Sequence, residues 1–157
     1  MEFRPLIRKN KELPIEECLE LLRREKRGVL SVLGDGGYPY GVPLDFVYDD
    51  GCLYFHCALS GHKLDAVKAC DKASFCVLDK GRKPDDDWAY YFNSVIVFGR
   101  IRIVDDAEEK LNRLRQLGLK YYPSVGEVNE EIRKDADRCH ILALTIEQMT
   151  GKRVHER

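Results

Sequence analysis

The run "ALSGHKLD", residues 58–65, sets Ser60, Gly61, His62 and Lys63 at the start of a helix. Free backbone N–H groups of a first helical turn, the helix dipole and two cationic side chains then converge on one point. That is the chemistry of anion binding, and a phosphate is its natural guest. Ser60 is placed to cap the helix, and an ordinary capped helix with a solvated lysine is the plainer reading. One strand earlier, "CLYFHC" (52–57) brings Cys52, His56 and Cys57 together. Strand alternation turns Cys52 and His56 to one face and Cys57 to the other. A zinc site would need a second ligand pair at a recognisable spacing, and none follows. A half-buried strand histidine with a satisfied hydrogen bond is the ordinary fate of His56.

The preceding strand is unusual. In "YPYGVPLDFVY" (38–48), Tyr40, Val42, Leu44, Phe46 and Tyr48 share one face, which reads as the core side. The other face carries Pro39, Gly41, Pro43, Asp45 and Val47 and is nearly flat. Glycine within a strand marks close approach by a ligand or another backbone, and Pro43 cannot donate to a ladder. Edge protection by prolines explains this equally well when the strand is taken alone. The conjunction favours a ligand: a cleared, flat surface lies one hairpin from a phosphate-type site. A flat ring joined to a phosphate fits both.

The elements that must position these residues follow from periodicity. A first helix begins at Pro14, with Ile15, Cys18, Leu19 and Leu22 on one stripe and Gly28 as its C′ residue. Strands at 29–33, 38–48 and 52–57 form a meander with hairpin-length loops. A short helix (62–70), a fourth strand (72–78), an exposed excursion "DKGRKPDDDW" and a long strand (90–104) come next. Asp105 or Asp106 caps a helix whose buried side is marked by Leu111, Leu114 and Leu117. A polar helical piece near 126–137 precedes a last strand (139–148) and a tail. Hairpin-linked strands with peripheral helices predict a small antiparallel barrel or curled sheet. Neither G-x-G-x-x-G after a strand nor a Walker A motif is present.

The totals narrow the function. At 157 residues the chain reads as a single domain, 1–157, with a basic arm at 1–13 and a tail at 153–157. A net charge of −1, with both signs interspersed, gives no electrostatic case for nucleic acid or an acidic membrane. No apolar run approaches the roughly 18 residues of a spanning helix. The opening residues hold no apolar signal-peptide core, so the expectation is a cytoplasmic protein. The six cysteines are then expected to be reduced, small hydrophobes.

"GVLSVLGDGGYPYGVPLDFVYDDGCLYFHCALSGHKLDAVKACDKASFCV", followed in order by "FNSVIVFGRIRIV" and "ILALTIEQMTGK", resembles the FMN-binding split-barrel proteins. The likeness is to the pyridoxamine 5'-phosphate oxidase-like group, nearest its nitroimidazole-resistance branch, and covers residues 15–153. It implies a mainly β fold: a six-stranded antiparallel split β-barrel with peripheral helices, in a homodimer with FMN at the interface. By the same resemblance, the backbone of Val42, Pro43, Leu44 and Asp45 runs beside the isoalloxazine, with His56 and Cys57 near the ring and ribityl chain. Gly61, His62 and Lys63 match the phosphate turn; relatives often carry Arg-Lys there, so Lys63 is the surer cation. Ser94 matches a position that reaches the flavin from the partner subunit, and Lys152 is a second candidate of that kind. His56 becomes a catalytic candidate, placed to orient a substrate or pass a proton.

The function implied is a flavin-dependent oxidoreductase, with NAD(P)H as donor and a small acceptor such as a nitroaromatic. Two alternatives stand beside it. The tail "RVHER" (153–157) resembles the phosphate-holding R-x-H-D-R segment of true pyridoxamine 5'-phosphate oxidases, at a shorter spacing. A split barrel can also carry flavin or haem as a non-catalytic sensor, because fold does not fix function.

Overall fold

The structure, a computed structural model, describes residues 3–155. Its centre is one antiparallel sheet: β1 (Arg27–Leu33), β2 (Pro39–Asp45), β3 (Val47–Asp49), β4 (Cys52–Ala58), β5 (Lys72–Leu78), β6 (Tyr91–Ile103) and β7 (Cys139–His155). The strand order is β2-β1-β5-β6-β7-β4-β3. β2 and β3 stand at opposite ends of that order yet are joined through Phe46 alone. The sheet must therefore curl until its two ends meet there, which closes a barrel on one side and leaves it split on the other.

Seven strands appear where six were expected, because the run 38–48 breaks at Phe46. β2 pairs with β1, from Leu33 opposite Pro39 to Arg27 opposite Asp45. β3 pairs instead with β4, Val47 lying opposite Tyr54. At the break, the Phe46 N–H donates to the Tyr121 hydroxyl at 2.9 Å. That hydroxyl is also in hydrogen-bond contact with the carbonyls of Phe46 and Lys26. One phenol thus satisfies the backbone groups that leave the ladder at the bend.

Phe46 is fully buried, with Phe75 edge-on at 4.9 Å and Phe55 in turn 5.0 Å from Phe75. These rings centre the barrel core. α1 (Ile15–Arg24) packs on it through Cys18, Leu21 and Leu22. Ile15, expected inward, is exposed at the first turn. The helix ends at Arg24, and Gly28 is not its C′ residue but lies inside β1. There a Cβ would stand 2.5 Å from the Phe75 ring and 2.6 Å from the Cys76 carbonyl oxygen, so the glycine serves strand-to-core approach.

α2 (His62–Ala69) follows β4. α3 (Ala107–Tyr121) is capped as expected: the Asp106 carboxylate accepts the Glu109 N–H at 2.7 Å. Leu114 and Leu117 face a second, smaller core of Tyr54, Val104, Ile141 and Ala143, whereas Leu111 is exposed. α4 (Val125–Asp135) packs on α3, with Val128 buried. The last strand runs to His155 rather than 148, because β6 pairs with it across its whole length. Arg153 and His155 thus belong to β7, while Glu156, Arg157, Met1 and Glu2 lie outside the described residues.

Lys120 ties α3 to the end of α1. Its ammonium donates to the carbonyls of Glu25 (2.6 Å) and Leu22 (3.3 Å) and lies 3.9 Å above the Phe46 ring. Burial pulls its pKa down from 10.5 to about 8. Between those values the unfolded chain binds more protons than the folded one, so stability attributable to Lys120 rises with pH and is lost as pH falls through 8. Set against Lys120→Met, the protein should gain about 1–2 kcal/mol between pH 8 and 10.5, the full shift being discounted for partial exposure. Urea unfolding of both proteins at pH 7.5 and 10 reads this; a difference that does not move with pH removes Lys120 as the titrating group.

Candidate functional site

The split itself is the site. β2 is hydrogen-bonded to a neighbour on one edge only, and β3 covers only Cys52–Tyr54 of β4. The free edge of β2 and the free edge of Phe55–Ala58 therefore diverge from Phe46 like two arms of a V. Val42, Pro43, Leu44 and Asp45 lie on one arm; His56 and Cys57 lie on the other. Gly41 and Pro43 are exposed, Val42 and Leu44 half-buried, as the parity of the strand requires. A Cβ at Gly41 would meet only Val29 Cγ1, at 3.3 Å, and Ser31 Oγ at 4.0 Å. Folding of the chain alone thus does little to demand a glycine there.

α2 begins past the end of β4. Its N-cap is Gly61, at φ +129°, a conformation that favours glycine, and no side chain caps the helix; Ser60 does not take that role. First-turn N–H groups are thereby left without a capping side chain. His62 is engaged within the fold: its ring stacks on Tyr40 at 4.2 Å, and Nε2 accepts the Asp35 N–H at 3.2 Å. Lys63 differs. No carboxylate lies within ion-pair distance of it among the described residues. It is near enough to Cys57 to favour that thiolate, although burial dominates and pushes the Cys57 thiol up. Of the two expected cations, Lys63 is the one left for an anion.

Beside the split opens a cleft of about 770 Å³ between the barrel and helices α3 and α4. Asp45 and His56 form its barrel wall; Leu114, Leu117 and Tyr121 line the α3 side. His56 is exposed and Asp45 is held by Arg27 at 2.6 Å. The cleft offers an apolar floor beside the His56 imidazole and the paired Asp45 carboxylate, while its α4 side is charged, with Glu127, Glu130, Glu131 and Asp135 set beside Lys134 and Arg138. Sequence reading missed the Tyr121 wall, because an aromatic at a helix end carries no signal for a strand bend 75 residues away.

Ser94 and Lys152 are not in this cleft. They are cross-strand partners on β6 and β7, on the outer face of the sheet. The register runs Pro43–Val29–Cys76–Ile96–Thr150 in one row and Gly41–Ser31–Ser74–Phe98–Gln148 in the next. The cleared face of β2 is thus continuous with a largely exposed apolar face holding Leu33 (51% exposed), Leu78 (54%), Ile96 (40%) and Phe98 (43%), the last with the Phe3 ring of the N-terminal arm stacked on it at 5.8 Å.

Other candidates fall into structural roles. Asp79 accepts the N–H groups of Gly81 (3.0 Å) and Asn93 (2.9 Å), and Asp87 accepts the Tyr91 hydroxyl at 2.6 Å. Trp88 is 88% exposed beneath Lys83. Arg153 pairs with Glu17 at 2.6 Å, and Arg153–His155 of the tail that offered the alternative oxidase reading lie in the β6–β7 ladder. All six cysteines are free. Among the described residues no group of His, Cys, Asp or Glu is arranged to hold a metal, and no helix is long and apolar enough to cross a membrane.

The family model described as pyridoxamine 5'-phosphate oxidase matches residues 14–153, nearly the whole sheet and its helices. The chain belongs to that family. A search of curated protein sequences finds no match. Among solved structures, a putative 5-nitroimidazole antibiotic resistance protein from Bacteroides thetaiotaomicron superposes with a TM-score of 0.77 at 18% identity, over 92% of this chain and 87% of that one. An FAD-binding protein from Mesorhizobium loti gives 0.68 at 24%, over 94% and 97%. An FAD and haem binding protein from Mycobacterium smegmatis gives 0.75 at 20%, over 90% and 72%. At these identities the likeness speaks to the fold. In this member of the pyridoxamine 5'-phosphate oxidase family, then, the strand breaks at Phe46 where the curled sheet closes, and the V of free edges is the barrel's opening.

Proposed function

We propose that the protein is an FMN-binding oxidoreductase that takes electrons from a reduced nicotinamide nucleotide and passes them to a small acceptor such as a nitroaromatic. The observation that carries this reading is the split: a flat strand edge, ending at a glycine-capped helix start with a free lysine. A planar ring fits along Val42–Asp45, and a single phosphate fits Lys63, the cation left without a partner at the start of α2, which favours a mononucleotide. The solved relatives named for FAD, for haem and for nitroimidazole resistance are consistent with a flavin in this opening.

Bound there, a flavin would supply hydride acceptance and onward electron transfer. The chain's own part is positional. Strand backbone holds the ring edge, Lys63 neutralises the phosphate, and the apolar floor of the cleft excludes water beside it. His56, exposed at the cleft wall, is placed to orient an acceptor or hand it a proton. The exposed apolar part of the outer face, with Ser94 and Lys152 on the same side of the sheet, takes a second copy of the chain, and those two residues complete the partner's flavin site. Burial of such an apolar patch is the usual reason for one.

The visible spectrum of the purified protein, with acid release of its chromophore, tests the reading. FMN is expected; a colourless protein that fails to bind added FMN overturns it. Lys63→Ala should weaken FMN about 10- to 100-fold while leaving riboflavin nearly unchanged, since only the former carries the phosphate. Equal loss of both ligands would remove Lys63 from the phosphate. Sedimentation of the loaded protein should show a dimer, and a loaded monomer contradicts the interface.

A further inference from the structure

Around the end of the β6–β7 ladder, one residue past the Ser94–Lys152 pair, lies an open groove of about 860 Å³. Five cations line it, Arg24, Lys26, Lys80, Arg82 and Arg153, against the carboxylates of Glu25 and Asp79. This is a concentrated basic patch on a chain whose net charge is −1. Two of the cations are committed: Arg24 to Glu25 at 2.9 Å and Arg153 to Glu17 at 2.6 Å. Lys26, Lys80 and Arg82 have no carboxylate within ion-pair distance among the described residues; the Arg82 guanidinium instead lies 5.3 Å from the centre of the Tyr91 ring and the Lys26 ammonium 5.7 Å from that of Tyr121.

The groove is built rather than incidental. The turn bearing Lys80 and Arg82 is fastened to β6 on both sides. Asp79 donates its N–H to the Asn93 carbonyl at 3.0 Å, and its carboxylate takes the N–H groups of Gly81 and Asn93. Arg82 and Tyr91 exchange backbone hydrogen bonds at 2.7 and 2.8 Å. Two unpaired cations are thus presented from a pinned turn, opposite Lys26 at the end of α1. The two carboxylates of the groove are already engaged, Glu25 by Arg24 and Asp79 by two backbone N–H groups, so five cations against two acids leave an excess of positive charge whose members repel one another. An arrangement of this kind is relieved by a polyanion, and low-salt attraction extends over about 10 Å. The Tyr91 and Phe92 side chains give the groove an aromatic side as well.

We propose that this groove holds the phosphates of a dinucleotide, and so is the docking site for the electron donor. The donor role rests on the proposed function, whereas the anion site stands on the groove alone. The groove begins at Asn93 and Arg153, the next pair along the ladder from Ser94 and Lys152, so under the proposed function a donor held there by its phosphates lies beside the residues that would complete the partner's flavin site.

The test uses the purified protein with its native flavin content, the double variant Lys80→Ala/Arg82→Ala, and the charge-preserving pair Lys80→Arg/Arg82→Lys. Inorganic pyrophosphate and NADPH are titrated calorimetrically, and flavin content is read from the spectrum. Each removed surface contact is worth up to about fivefold, so the alanine pair should bind both ligands about tenfold or more weakly, with unchanged flavin content. The charge-preserving pair should restore most of the affinity, and added KCl should weaken binding by the wild-type and charge-preserving chains more steeply than by the alanine pair. Wild-type protein that ignores millimolar pyrophosphate, or an alanine pair that binds both ligands undiminished, overturns the groove. A colourless protein whose pyrophosphate binding still falls in the alanine pair supports the anion site while the flavin reading fails separately.

Discussion

Gly99→Ala is expected to destabilise the fold by about 3 kcal/mol or more, at the upper end of what overpacking costs. Gly99 is buried in the middle of β6 where the ladder to β7 shifts register: Phe98 faces Gln148, but Gly99 faces Ile146. A Cβ at this position would stand 1.9 Å from the Thr145 carbonyl oxygen and 3.2 Å from Leu144 Cδ1. The first neighbour is backbone, so no rotamer relieves it; β7 has to move off β6 at its bulge. That bulge also carries the Arg100–Glu147 ion pair at 3.2 Å. In a chain of this size the loss corresponds to a fall in Tm of about 10 °C. Gly41→Ala is the matched control, since its Cβ would meet only side-chain atoms of Val29 and Ser31. A Gly99→Ala variant as stable as Gly41→Ala would show that β7 yields at no cost.

The contrast between these two glycines explains what the sequence could and could not convey. Both sit inside apolar strands and look alike in one dimension. Gly41 was legible as a cleared site because prolines flank it and a phosphate-type helix start follows. Gly28, by contrast, suggested a helix end, because nothing local reveals that Phe75, far along the chain, fills the space beside it. The parity of β2, a helix cap at Asp105 or Asp106, the antiparallel class with peripheral helices and the family likeness were readable from the sequence, whereas the meander expected over 29–57 parts in the sheet, where β1–β2 and β3–β4 stand at opposite ends. The break at Phe46 was not: an alternating run continues smoothly through it, and the phenol that accepts its N–H comes from α3. Ser94 and Lys152 were found as separate motifs, and only the register shows them opposite one another on the outer face. The basic groove escaped notice because its cations come from α1, the 79–82 turn and β7, none of them remarkable alone.

Phe46→Ala is expected to cost about 3–5 kcal/mol, a large part of the 5–15 kcal/mol that holds a typical domain. The ring is fully buried, packs edge-on to Phe75 at 4.9 Å and lies beneath the Lys120 ammonium at 3.9 Å. Truncation leaves a cavity at the one point where β2 becomes β3, and the half-buried Lys120 ammonium loses its aromatic partner. Urea unfolding measures the loss. The milder Phe46→Leu keeps most of the volume and serves to read the site in a folded protein. No atom of Phe46 is among those lining the cleft, yet the bend it anchors sets the angle at which the free edges of β2 and β4 diverge. If those edges hold a flavin, Phe46→Leu should weaken FMN several-fold while the Tyr121 hydroxyl still serves the backbone at position 46. Full FMN affinity in a clearly destabilised Phe46→Leu protein would mean that the arms of the V are set independently, by β1 and β7 rather than by the hinge between them.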